Sequence, residues 1–437
     1  MASTYLTRTP SSNGNLDKWT LSVWVKKSKI QVGATGAQYI ASAGTASIQN
    51  TVYFDNNDRL IIEYYKADVG NYYKKTNRLF RDTSAWYHIV AVWDTGNATA
   101  EDRMRLYVNG ERETSWQSSA DPGQDLDGFW NSTSYANNIG QLSGGTSRFD
   151  GLMSHLHFID GTVYTPSTFG STDSTTGEWK INTSPSVTYG TNGFFILKDG
   201  NSVTDQSGNS NNFTANGTLT KTEDNPSHNF STLNPLYTFD ASLNYTKGNT
   251  VVADSGGADS WTTRYAISSL GMFKGKYYVE NKIANIGSNQ MYVMGIISDP
   301  SENAVNSSLG YLSNAYGYYC ADGRIISGTS DLQTGIGTAT TNDIIGCALD
   351  VDNGTMQLYK NGSAIGSQVT GIPVGDRTWH FVSDFYSTGK IGWNFGNGYF
   401  EETAVSSAGT NASNNGTFEY DVPAGFTALC TKGLNSF

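Results

Sequence analysis

Between residues 343 and 362 the chain reads Asp-Ile-Ile-Gly-Cys-Ala-Leu-Asp-Val-Asp-Asn-Gly-Thr-Met-Gln-Leu-Tyr-Lys-Asn-Gly. Two short apolar runs are separated by Asp352-Asn353-Gly354 and closed by Asn361-Gly362. This is the pattern of a β-hairpin with a second tight turn after it, because Asn and Gly accept the positive φ that such turns need. An earlier stretch repeats the design, with Trp86-Tyr-His-Ile-Val-Ala-Val-Trp-Asp94 followed by Met104-Arg-Leu-Tyr-Val-Asn-Gly110. Leu-Tyr-Lys-Asn-Gly and Leu-Tyr-Val-Asn-Gly are one hairpin used twice, which predicts two β-sandwiches, each with its own copy.

Other segments carry the same period of two. Leu21–Val25 alternates, Asn50–Phe54 and Arg59–Tyr65 flank the polar turn Asp55–Asp58, and Arg148–Asp160 closes the first series. Gly275–Ile283, Met291–Ile297, Gly317–Gly323 and Gly389–Gly396 form a second series. Turn signals recur roughly every 8–12 residues, as in sandwiches, and few windows hold an apolar helical period. The expected fold is all-β, with two antiparallel β-sandwich (jelly-roll) domains at 1–213 and 261–437. A polar connector at 214–260 joins them, docked in part through Phe230, Leu233, Leu236, Tyr237 and Phe239.

Composition sharpens this picture at a few points. Abundant glycine (48 residues) and scarce proline (9) suit many turns between short strands. A net charge of −11 argues against a nucleic-acid partner, since phosphates reward clustered Lys and Arg. The groups Lys26-Lys27-Ser28-Lys29 and Lys74-Lys75 read as solvated strand ends. Cys320, Cys347 and Cys430 have no metal or disulfide spacing and read as buried thiols. No signal segment or membrane-length apolar run is present, so the expectation is synthesis in a cytoplasm without membrane insertion.

Several phrases resemble known families. Trp86–Asp94, Leu106-Tyr-Val-Asn-Gly110 and Phe149-Asp-Gly-Leu-Met-Ser-His-Leu-His-Phe158 resemble a laminin-G-like, concanavalin-A-type jelly roll over about the first 200 residues. Asp205-Gln-Ser-Gly-Asn209 belongs to the same likeness, although its late position leaves the strand order open. Tyr277-Tyr-Val-Glu280, Asp343–Asp350 and Asn394-Phe-Gly396 are similar to a SPRY domain. The pairing of both modules resembles structural proteins of tailed bacteriophages, through Trp19–Lys27, His157-Phe-Ile-Asp-Gly161, Asn229–Leu236 and Phe426–Leu434. That resemblance implies a component of the virion surface that binds other virion proteins, of capsid or tail. A head decoration or short appendage is favoured because the first sandwich begins almost at Met1, and such proteins often form symmetric homo-oligomers. The alternative is a tail-fibre, receptor-binding lectin that captures host surface glycans.

Candidate chemistry is sparse. A retaining glycosidase needs two carboxylates about 5 Å apart, and no Glu-x-Asp-x-x-Glu strand occurs. Asp350-Val-Asp-Asn-Gly354 lacks the spacing and terminal Glu of a calcium loop, and reads as a turn. His155 and His157, on one strand face, lack a third zinc ligand, and His88 and His380 read as satisfied core histidines. No cofactor is expected, with calcium in the first domain as the alternative. Sugar binding remains, because aromatic rings stack on sugar faces while Asp and Asn fix hydroxyls, in some lectins through calcium. The candidates in the first domain are Tyr72, Tyr73, Trp116, Trp130 and Tyr135, interleaved with Asp121, Asp125, Asp127 and Asn131. In the second domain Tyr316 and Trp379 are candidates for peptide or protein contact.

Overall fold

The computed structural model describes residues 4–31, 36–198, 202–237, 242–254, 256, 264–287, 292–300 and 308–436. The chain divides into two compact units, Met1–Lys221 and Thr222–Phe437, and each is an antiparallel β-sandwich.

In the first unit one sheet has eight strands. Their order is Trp116–Ala120, Gly70–Leu79, Arg59–Lys66, Ile48–Phe54, Gln38–Gly44, Ala136–Ile139, Tyr5–Arg8 and Thr214–Asn216. The facing sheet runs Phe194–Ile196, Gly151–Asp160, Lys18–Lys27, Tyr87–Asp94, Met104–Val108 and Glu111–Arg112. Alternation fixes what faces the core. Val52, Phe54, Leu60, Ile62 and Tyr64 point inward and pack with Trp19, Trp93 and Phe158 of the facing sheet. The Asp205-Gln-Ser-Gly-Asn phrase caps the edge strand Phe194–Ile196. The Asp205 carboxylate accepts from Phe195 N–H (2.8 Å), Ser207 N–H (2.9 Å) and Asn211 N–H (2.8 Å).

In the second unit the path is Leu243–Thr246, Val251–Asp254, Gly389–Asn394, Lys276–Asn285, Ile344–Asp350, Thr355–Lys360 and Ser363–Val369. The facing sheet runs Tyr265–Ile267, Trp379–Phe385, Tyr292–Ser298, Ala315–Tyr319, Arg324–Ser327 and Ser330–Gln333. Their shared core holds Trp379, Trp393, Tyr277, Tyr318 and Phe381. Cys320 and Cys347 are free and buried in it, and Cys430 is free and buried in a smaller cluster with Phe230 and Phe418.

The repeated hairpin is built the same way twice. Asn109 donates its N–H to His88 O (2.9 Å) and accepts His88 N–H on Oδ1 (2.8 Å). Asn361 does the same to Ile344 O and N–H, both at 2.8 Å. Both asparagines sit at φ +49°, followed by Gly110 at +86° and Gly362 at +81°. The loop between Asp350 and Thr355 is different. Only Gly354 has positive φ there (+64°), while Asn353 is bound through its N–H (3.0 Å) and amide (2.8 Å) to the Asp350 carboxylate.

Two expectations need correction. Residues 214–260 do not form a separate connector among the described residues. Thr214–Asn216 pairs with Tyr5–Arg8 in the first unit, whereas Leu243–Thr246 and Val251–Asp254 are strands of the second. Phe230 and Leu233 are buried there by bridges to Cys430 and Ser268; Tyr237 packs against a satellite cluster, and Leu236 is 60% exposed. Phe239 lies outside the described residues.

The basic groups are not simply solvated strand ends, because Lys26, Lys27 and Lys74 are buried. Lys27 Nζ pairs with Asp58 at 2.6 Å, donates to Phe80 O at 3.0 Å and lies 4.5 Å from the Phe54 ring centre. Lys74 pairs with Asp121 at 2.9 Å and donates to Glu101 O at 3.1 Å. Buried charges persist where paired and hydrogen-bonded, a condition set by distant residues.

Candidate functional site

The aromatic candidates separate by the direction each side chain takes. Trp130 is only 1% exposed, packed at 4.8 Å from Phe158 and 6.1 Å from Trp19, so it is a core residue rather than a ligand contact. Trp379 is likewise fully buried, donating its indole N–H to Pro373 O at 2.8 Å. Both lie beside turns, yet both side chains point between the sheets. Tyr316 is half-buried against Trp379, with ring centres 5.8 Å apart. Tyr72 and Tyr135 lean on Tyr64 and Phe129, and Trp116 lies 5.4 Å from the Lys74 ammonium. Asp125 and Asp127 are exposed, and no group of three metal-ligating side chains occurs among the described residues.

The histidines are bound as well. His380 Nδ1 lies 3.0 Å from Ser268 O, and His157 Nδ1 lies 2.8 Å from Tyr189 Oη. A bulge between Ser154 and His157, with His155 at φ +47°, breaks the alternation that would have aligned His155 with His157.

Tyr73 differs from the other aromatic candidates. Cross-strand register places Thr51, Glu63, Tyr73 and Ala120 in one row, and Tyr53, Ile61, Lys75 and Ser118 in the next. On the three inner strands these alternate with the inward set Val52, Ile62 and Lys74, so they occupy the outer face of the eight-stranded sheet, where Thr51 and Ile61 are buried and Tyr53, Glu63, Tyr73 and Lys75 are half-buried. Tyr39 stacks on Tyr53 there, with centres 4.6 Å apart and planes 16° from parallel. Tyr53 donates its hydroxyl to Glu63 Oε2 at 3.1 Å, and Lys75 pairs with Asp55 at 2.6 Å.

Burial raises the Glu63 pKa, opposed by hydrogen bonds from Tyr53 and Asn71 and by the Lys75 charge. Burial, reinforced by Glu63, pushes the Tyr39 phenol up to about 12, so Tyr39 stays neutral. The result is a strip with Tyr39 buried and Tyr53 and Tyr73 half-buried around an orientated carboxylate. It can stack on an apolar face and accept hydrogen bonds from hydroxyls.

Looking for aromatic residues in turn-rich stretches missed Tyr53, Glu63 and Lys75. The usable signal was alternation, since the polar and aromatic positions of half-buried strands mark the solvent face. The second unit exposes Tyr311 and Leu332 beside the strand Arg324–Ser327, where Arg324 pairs with Asp322 at 2.7 Å and Asp331 at 3.2 Å.

Comparison with known proteins agrees with both architectures. Residues 2–168 match the family described as the concanavalin A-like lectin/glucanases superfamily, and residues 276–374 match the SPRY domain. The chain therefore carries a concanavalin A-like domain followed by a SPRY domain, folds that commonly serve binding. It is 35% identical over 117 residues to the Ran-binding proteins 9/10 homolog of Drosophila melanogaster, covering 26% of this chain and 12% of the fly protein. It is 33% identical over 99 residues to Ran-binding protein 9 of Danio rerio, covering 23% of this chain and 16% of that protein. The chain thus spans only a small part of these relatives.

Among solved structures, the SPRY domain of human HERC1 is 18% identical with a TM-score of 0.30, over 37% of this chain and 96% of that one. A heptameric SAP-like pentraxin from Limulus polyphemus is 19% identical with a TM-score of 0.27, over 38% of this chain and 73% of that one.

Proposed function

We propose that the chain is a non-enzymatic binding protein whose first sandwich takes up glycans on the outer face of its eight-stranded sheet. The observation that carries this reading is the strip formed by Tyr39, Tyr53, Glu63 and Tyr73, with Lys75 held by Asp55. Rings provide stacking surface, and the desolvated Glu63 carboxylate supplies an acceptor of fixed direction. The second sandwich, a SPRY fold, is assigned protein contact, with Tyr311 and Leu332 offering apolar surface.

The finer reading is a protein of a phage virion surface, made in the host cytoplasm and binding other virion proteins of capsid or tail. It rests on the sequence phrases alone. A head decoration or short appendage comes first, and a tail-fibre lectin that captures host surface carbohydrate is the alternative.

The glycan reading is tested by co-sedimentation of the purified chain with insoluble polysaccharides. Saturable binding that falls at least tenfold in Tyr73→Ala, with an unchanged unfolding midpoint, is expected. Binding that is absent from every polysaccharide, or indifferent to Tyr73→Ala and Tyr53→Ala, would sink it. Antibody labelling of intact particles tests the virion reading; label on head or tail supports it, and unlabelled particles from cells containing the protein refute it.

A further inference from the structure

A pocket of about 340 Å³ lies away from the outer strip, beside the turn at Asn109 and Gly110. Its volume is at the lower end of the range for small-ligand sites, roughly 300–1,000 Å³. Arg78 forms one wall, the Gly110–Glu111 hairpin another, and Trp179 and Thr172 of a two-stranded ribbon complete it.

Trp179 is held rigidly. Its indole N–H donates to His88 Nδ1 at 3.0 Å, and His88 Nε2 lies 2.9 Å from Ser22 Oγ. Accepting on Nδ1 places the His88 proton on Nε2, so Ser22 accepts. Full burial lowers the His88 pKa to about 3, and this arrangement therefore persists at neutral pH. Gly110 is required for the contact, because a Cβ there would stand 2.5 Å from Trp179 Cζ3. With its one polar atom engaged inside, Trp179 offers the pocket only apolar ring surface.

The remaining walls are polar and of both signs. Arg78 is bonded through Nη1 to Glu113 at 3.1 Å, which leaves its other nitrogens directed elsewhere. Asn109 uses Oδ1 on His88 N–H, so its amide donors stay available. Glu111 is exposed and supplies acceptors. Of the charged side chains that line the pocket, Arg78 is positive and Glu111 negative, so there is no net charge to favour an anionic ligand. An apolar plate ringed by donors and acceptors, without net positive charge, matches a neutral pyranose ring.

We infer that this pocket is a second saccharide site on the first sandwich, separate from the outer strip and specific for neutral sugars. Two sites on one sandwich would let it bridge chains or gain avidity on one polysaccharide.

The test is saturation-transfer difference NMR with calorimetry on the full chain. The probes are cellobiose, maltose and N,N′-diacetylchitobiose, with glucuronate as the acidic comparison. At least one neutral disaccharide should bind, with affinity reduced tenfold or more in both Glu111→Ala and Arg78→Ala. These are surface positions, so hydrogen exchange serves to verify that each variant is folded. The same binding should survive Tyr73→Ala, which separates this site from the strip. No binding of any neutral probe, uptake of glucuronate alone, or binding insensitive to both pocket variants would overturn the inference.

Discussion

Glu280 sits in the strand Lys276–Asn285 with no exposed surface, and its carboxylate holds a covering segment whose Phe418 and Val422 pack with Tyr278 and Ala348 of the sheet. Oε2 accepts Glu419 N–H at 2.8 Å and Oε1 accepts Tyr420 N–H at 2.9 Å. Tyr278 Oη donates from 3.2 Å, and Asn394 Nδ2 lies 3.5 Å away. Burial raises its pKa to about 7, further helped by the nearby Glu419 charge and opposed by the two backbone N–H groups and Tyr278. A carboxyl whose folded pKa is raised contributes stability fully present below its unfolded pKa, near 4.5, and lost as pH climbs through about 7.

Between pH 5.5 and 8 the integrated loss is about 2 kcal/mol by this linkage. Staying above the isoelectric region near 4.9 keeps the protein in solution. Glu280→Gln cannot titrate, but its single acceptor leaves one of the two N–H groups unpaired, at a cost of ~1–3 kcal/mol. The variant should therefore be the less stable form at pH 5.5, and the gap should narrow by about 2 kcal/mol at pH 8. Other titrating groups are common to both proteins and cancel in the difference. Urea unfolding at both pH values, with hydrogen exchange read at residues 419 and 420, measures it. A gap that stays constant or widens with pH refutes the reasoning.

Two further outcomes follow from buried geometry. Lys27→Met strands the Asp58 carboxylate, which among the described residues keeps only Gln31 N–H (3.0 Å) and Arg81 (3.3 Å), and should cost ~3–5 kcal/mol in unfolding of the first sandwich. Lys27→Met/Asp58→Asn should recover part of that loss in a double-mutant cycle, and purely additive losses would contradict a coupled pair. Gly362→Ala and Gly371→Ala both force an alanine to positive φ (+81° and +75°), at roughly 1–2 kcal/mol each. Only Gly362 also has an aromatic neighbour, since its Cβ would meet Tyr420 Cδ1 at 2.6 Å while Gly371 faces open space. Thermal unfolding should rank Gly362→Ala as the more damaging, with relief from Tyr420→Ala.

How far these features could be read beforehand depends on the range of the interaction behind them. Strands such as Arg59–Lys66 and Tyr87–Asp94 were legible because alternation is a local pattern set by pleat geometry. The Asn-Gly turns were legible because positive φ restricts the residue locally. Lys27 and Lys74 were not, since their burial depends on Asp58 and Asp121, partners 31 and 47 positions away in the numbering. Trp130 and Trp379 misled for a related reason: turn-rich surroundings say where the backbone runs, whereas the side-chain direction is fixed by the sheets above and below. The outer strip lay between these cases. Its residues stood in recognised strands, but only the register shows that Glu63 and Tyr73 are neighbours.

The twin hairpins connect this local code to the chemistry of each sandwich. In both, an Asn at φ +49° closes the turn and the following Gly makes room for a ring from a later segment, Trp179 over Gly110 and Tyr420 beside Gly362. The turn residue is thus doubly constrained, by its backbone and by the aromatic packed on it. In the second sandwich the ring belongs to the segment that Glu280 holds, so the hairpin, the ring and the buried carboxylate fasten one covering segment. In the first, Trp179 is fastened instead through His88, a neutral side chain whose bond leaves the ring lining a polar pocket. One turn design therefore supports a closed cover in one domain and an open, ring-floored pocket in the other. Fastening through a buried acid makes the first arrangement sensitive to pH near neutrality, while fastening through His88, neutral down to about 3, leaves the second indifferent to it.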